Sequence, residues 1–300
     1  MDWTSTAILS AVTFGVVGII DSHLLSKRMP SLRAFLLLVG VIHLMYAWLL
    51  FYLFPLPEGI STGLVLVALA SGMLRTAAVT IMLYNLKREE VSRVIPIVYT
   101  YPIFVAIMAV PLLGEHLSYS AWLAIIIVVA GAVTVSLKQS PSGSTTWLGK
   151  VTLLLFSSSL LLAMADITSK YVLASISFWN LFWLSAFCMS GTFLIISVRP
   201  SVLKQLIHVK QRNSAIALLI FNEFLAPVAI ILALWSIERG PVSLVSTITS
   251  SRPMFVVMFA LILSRIFPGF LKWQYGKGIL ALRLIGTTMI VGGIATIYLL

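Results

Sequence analysis

The chain has 300 residues, 60% of them hydrophobic and 10% charged, with a mean hydropathy of +1.07 and a formal net charge of +11. That leaves too little polar surface for a water-soluble globule of this length, so the composition describes a membrane protein. The Lys and Arg residues sit in short connections beside long apolar runs, so lipid headgroups and membrane orientation account for the positive charge, and nucleic acid does not.

Ten apolar runs follow one another at 5–26, 32–54, 61–86, 91–112, 118–137, 147–170, 178–199, 213–236, 241–264 and 280–299. Each is near the ~20 residues that cross ~30 Å of hydrocarbon as a helix, the open-ended element that satisfies its own backbone there. The first run has no basic segment before it and is followed by Lys27 and Arg28, where a secretory signal would show a small-residue cleavage site. It is expected to remain as a membrane helix. Pro30, Pro55, Pro57, Pro111, Pro141, Pro200, Pro241 and Pro268 fall at or near the breaks, where a missing amide hydrogen does least harm. Gln139 to Thr146, rich in Ser and Thr, reads as a linker between residues 1–138 and 147–300 and divides the runs five and five. Cys188, the one cysteine, permits neither an internal disulfide nor a Cys-based metal site.

The two halves repeat each other. Val91-Ser92 lines up with Val242-Ser243 and Tyr101-Pro102-Ile103-Phe104-Val105 with Arg252-Pro253-Met254-Phe255-Val256 in one register. Gly131, Thr134 and Leu137 line up with Gly293, Thr296 and Leu299 in a second, shifted by the segment Pro268 to Gly278. An odd number of helices per repeat turns the second copy upside down, so the expected fold is an all-α integral membrane protein of ten transmembrane helices in two inverted five-helix repeats. That architecture predicts alternating access.

Ile95-Pro96, Tyr101-Pro102, Gly114-Glu115-His116-Leu117-Ser118 and the helix through Ala130-Gly131 resemble the EamA-type branch of the drug/metabolite transporter superfamily. The resemblance spans essentially the whole chain and implies ten helices in two inverted halves and transport of a small metabolite. One departure stands out: Ser264-Arg265-Ile266 occupies the place in the second half that Gly114-Glu115 holds in the first.

An ionisable group near the bilayer centre costs ~2.5–3.5 kcal/mol on insertion scales, so each one is expected to be paired or functional. Arg75, Glu223 and Arg252 lie deepest. Glu223 maps to Gly72, one turn from Arg75, so these two are expected to meet, either as a lock between halves or at the substrate. Arg252 precedes a helix-interior proline, as Tyr101 does, and continues a polar stripe through Ser246, Thr249 and Ser250. It is a candidate to hold a carboxylate or phosphate, the alternatives being a carbonyl cap or a pair with Glu223. Tyr99, Tyr101 and Asn222 are candidates for further substrate contacts. Asp21 and Asp166 are repeat-related; the spacing of Asp166 to Lys170 favours a pair on one helix face over proton coupling. His43, midway along its run, is a candidate proton carrier.

No G-x-x-x-x-G-K-[ST], H-E-x-x-H or D-x-x-x-D motif is present. No cofactor or metal is therefore expected, and energy is expected from an ion gradient or substrate exchange. The leading expectation is a secondary transporter of a small organic metabolite with an anionic group. A lipid-handling protein or enzyme using Asp21 and Asp166 at headgroup level is the alternative. The expected partners are the substrate and the lipid bilayer, with a homodimer left open and no nucleic acid. Sixteen of the 20 Lys and Arg fall in or beside the odd-numbered connections and only Lys170 and Arg239 by the even ones. Basic loops stay cytoplasmic, so both termini are expected outside the cell membrane, opposite to what the resemblance implies.

Overall fold

Short polar side chains just ahead of the apolar runs start the helices. In the computed structural model, Asp2, Ser31, Ser61, Ser118 and Ser177 each accept a hydrogen bond from the backbone N–H three residues on, at 3.2–3.3 Å. The structure describes residues 2–87, 91–136, 150–207, 211–266 and 277–300, and among these the regular elements are all helical. They are α1 (Trp3–His23, prolonged by a π-helical turn Leu24–Arg28), α2 (Leu32–Leu53), α3 (Thr62–Leu86), α4 (Val91–Val98), α5 (Tyr101–Leu113), α6 (Tyr119–Ser136) and α7 (Lys150–Leu173). Then come α8 (Phe178–Ser197), α9 (Pro200–Ile207), α10 (Arg212–Arg239), α11 (Val242–Thr249), α12 (Arg252–Ile266) and α13 (Lys277–Tyr298).

Eight stretches among the described residues are long and apolar enough to cross a membrane, while α5 and α6 are apolar but shorter. The fourth and ninth runs, expected as single helices, are each broken in two, as α4–α5 and α11–α12. The expected connection between the seventh and eighth runs contains the short helix α9. The linker 139–146 and most of the segment Pro268 to Gly278 lie outside the described residues.

The chief helix pairs are α6 with α13, α2 with α8, α3 with α7, and α1 with α10, each joining a helix before the linker to one after it. Gly131 and Gly286 let α6 and α13 touch backbone to backbone: a Cβ on either would lie 2.7–2.8 Å from the other's carbonyl oxygen. Met45, Trp48, Leu66, Ile107, Leu123 and Phe224 point outward and exposed, as a lipid-facing surface requires, whereas every residue of α11 is buried. The polar interior and apolar exterior are those of a multi-pass membrane protein.

Candidate functional site

The two broken helices are built alike. Proline has no N–H, so Pro102 and Pro253 each leave a carbonyl of the preceding turn without its helical partner. At both breaks the chain passes through tighter three-residue bonds: Thr100 N to Ile97 O (3.2 Å) and Ile103 N to Thr100 O (3.1 Å), then Ser251 N to Ile248 O (3.0 Å) and Met254 N to Ser251 O (2.9 Å). In the first half the carbonyl of Val98 is taken up by Ser159 Oγ of α7 (3.3 Å). In the second, the hydroxyls of Ser246, Thr247, Thr249, Ser250 and Ser251 all donate back to α11 carbonyls three or four residues earlier, a pattern that bends helices.

Arg252 stands at the second break, its guanidinium carbon 3.6 Å from the centroid of the Phe14 ring of α1. Its Nε is buried and has no hydrogen-bond partner among the described residues. Of the two alternatives the sequence allowed, neither a carbonyl cap nor a pair with Glu223 is found among the described residues, Glu223 lying instead beside His43. Tyr101, at the first break, donates to Ser246 O (3.1 Å) and lies 2.9 Å from Thr249 Oγ1. The expected stripe of Ser246, Thr249 and Ser250 is buried, with Ser246 and Thr249 against this tyrosine, and the breaks thus meet across the two halves. Tyr99 is half-buried at the same junction.

The expected pair of Arg75 with Glu223 does not form. Arg75 Nη2 donates to Asp166 Oδ1 at 2.7 Å, because α3 packs on α7. Glu223 instead lies beside His43, with Oε2 3.3 Å from Nδ1, and the two are almost wholly buried. The expected Asp166–Lys170 pair is also absent: Lys170 Nζ reaches off its own helix to the carbonyls of Ile237 (2.7 Å), Glu238 (3.2 Å) and Gly240 (2.9 Å) at the end of α10. Asp21 accepts from Asn222 Nδ2 at 2.8 Å. Asp21 and Asp166 thus belong to separate clusters, which removes the convergence that an enzyme at headgroup level would need.

Glu115 has a role that the sequence reading missed. Its carboxylate accepts from the backbone N–H of Val242 and Ser243 and from Ser243 Oγ, closing the N-terminus of α11 from the α5–α6 corner. Lys170 at the C-terminal end of α10 and Glu115 at the N-terminal end of α11 each meet the helix dipole end of opposite sign, and Trp3 packs on Gly240 between them. The signal available in the sequence was Pro241 after Gly240 together with the acidic turn Gly114-Glu115; nothing in it said that they meet.

Residues 2–137 match the model of the EamA-like transporter family, which identifies the first half of the chain as EamA-like. No curated protein matches the chain. A solved structure titled only "Crystal structure of protein" aligns over 99% of this chain and 95% of its own length, with a TM-score of 0.66 at 19% sequence identity. At that identity the likeness speaks for a shared fold alone.

Proposed function

We propose that this chain, EamA-like over its first half, is a secondary transporter that moves a small organic anion by alternating access between two inverted five-helix repeats. Several contacts support the inverted repeat because they come in exchanged pairs. The contact of α1 with α10 is matched by that of α7 with α3, α1 with α12 by α7 with α5, and α1 with α11 by α7 with α4. Ser10 Oγ of α1 donates to Ala229 O, Ser158 Oγ of α7 donates to Ala78 O, both at 2.8 Å, and Ala78 and Ala229 share the repeat register. Broken helices at equivalent places in both halves are how such transporters expose backbone near the midplane.

The observation that carries the substrate class is Arg252: a cation held over an aromatic ring at a helix break, with a buried donor left open. A carboxylate or phosphate accepting from that guanidinium would satisfy it. Tyr101, Tyr99, Thr249 and Ser246 line the same junction, whereas Arg75 and Asp166 satisfy each other and act as a lock between α3 and α7. The charge bias of the connections supports placing both termini outside.

A thermal-shift screen of the purified protein against carboxylates and phosphate esters tests this reading. A hit that stabilises the parent should bind Arg252→Gln roughly ten- to a hundredfold more weakly, the worth of one charge-assisted hydrogen bond. Unchanged affinity in a folded variant would remove Arg252 from the site.

A further inference from the structure

The buried groups that the Arg252 region does not use gather on α1, α2 and α10. Asp21 accepts from Asn222 Nδ2 at 2.8 Å, and next along α10 Glu223 faces His43. His43 Nδ1 lies 3.0 Å from Val39 O. That carbonyl can only accept, so Nδ1 carries a hydrogen and points it there. Glu223 Oε2, though 3.3 Å from the same nitrogen, is left without an aligned hydrogen bond among the described residues. Asn222 Oδ1 is likewise buried and open, with Asn222 0% and Glu223 3% exposed. Tyr46 OH donates to the backbone carbonyl of Glu223 at 2.8 Å and so holds the α10 main chain while leaving the carboxyl to other partners.

Several cations of the surrounding helices are engaged elsewhere, among them Arg28 of the π-helical turn after α1, which reaches His23 and Gln211. Arg75 of α3 is bound to Asp166, Lys170 of α7 to the carbonyls ending α10, and Arg252 of α12 lies on Phe14, two helical turns along α1 from Asp21. The packed spans of α8 and α11 contain no charged residue. Two ionised carboxylates with no counter-charge inside a membrane-spanning bundle would be strongly disfavoured. Among the described residues no group of three His, Cys, Asp or Glu is placed to hold a metal ion. A proton needs only a single open acceptor, and Glu223 Oε2 is one.

We infer that Asp21, His43, Asn222 and Glu223 form a proton-binding site, centred on Glu223, that serves as the coupling-ion site of the transporter proposed above. It lies where α1 meets α10, one of the contacts between halves that alternating access must remake, so the presence of the proton biases that interface. The inference rests on the transport reading for its role but not for its chemistry.

Infrared spectroscopy of the lipid-reconstituted full-length protein, titrated from acid to alkaline pH in H2O and D2O, tests it without any substrate. The parent should show the carbonyl stretch of a protonated carboxylic acid that disappears on the alkaline side. Glu223→Gln should lose that band, Glu223→Asp should keep it if the Gln variant misfolds, and His43→Gln should keep it at a shifted midpoint. The pH slope of unfolding should drop by one proton in Glu223→Gln. Arg252→Gln should retain the band even where anion binding is lost, which separates this idea from the substrate assignment. A parent without the band, or a band surviving Glu223→Gln, overturns the proposal. So does stabilisation by sodium that choline does not reproduce and that Glu223→Gln abolishes, since it would assign the site to a metal ion.

Discussion

The Arg75–Asp166 contact lends itself to a quantitative test because the sequence pointed to a different partner. Arg75→Met would leave Asp166, whose side chain is 6% exposed, as an ionised carboxylate without its cation; the Arg75 side chain is 21% exposed. Breaking a buried pair from one side costs about 3–5 kcal/mol, and the partial exposure of Arg75 puts the expectation at the lower end, about 3 kcal/mol. Asp166→Leu alone strands the guanidinium, which can turn toward water more easily, so its loss should be smaller. The double variant Arg75→Met with Asp166→Leu replaces the pair by apolar contacts and should recover much of the loss, giving a coupling of ~1–3 kcal/mol. Reversible unfolding in mixed micelles, followed by far-UV circular dichroism, measures all four corners of the cycle. The companion cycle of Arg75→Met with Glu223→Gln should be additive within about 0.5 kcal/mol. Additivity of Arg75 with Asp166, or strong coupling of Arg75 with Glu223, would refute the pairing described above.

Two further outcomes are expected. Glu115→Gln removes the charge and one acceptor oxygen from the start of α11, which should cost about 1–2 kcal/mol and speed amide hydrogen exchange at Val242 and Ser243; unchanged exchange there would deny Glu115 its capping role. In a Cys188→Ala background, a cysteine at Ser142 should be shielded from an impermeant thiol reagent in intact cells and one at Gly59 labelled; the reverse pattern would place the termini inside.

How far the site was legible follows from how far each residue's partners lie in sequence. Arg252 and Tyr101 could be singled out because the adjacent prolines mark where a helix must lose a bond, a local rule written in two residues. The same rule foretold disruption at both places, although the runs were read as continuous because apolar periodicity does not register a two-residue break. The pairings of the charges were misread where the argument stayed on one helix or on the repeat register. Asp166 and Lys170 share a spacing that suits an ion pair, yet each found a stronger partner on a facing helix. Glu115 looked like a turn residue because its partners, Val242 and Ser243, stand more than a hundred residues away.

The sequence by itself therefore determined the membrane class, the helical character and the EamA resemblance of the first half, all of which depend on composition and on order along the chain. Only the tertiary structure decided which buried charges meet. In a bilayer-spanning bundle the helices are nearly alike in hydrophobicity, so hydropathy cannot say which faces which. That choice falls to close contacts such as Gly131 on Gly286 and to buried polar groups that must find a partner somewhere in the fold.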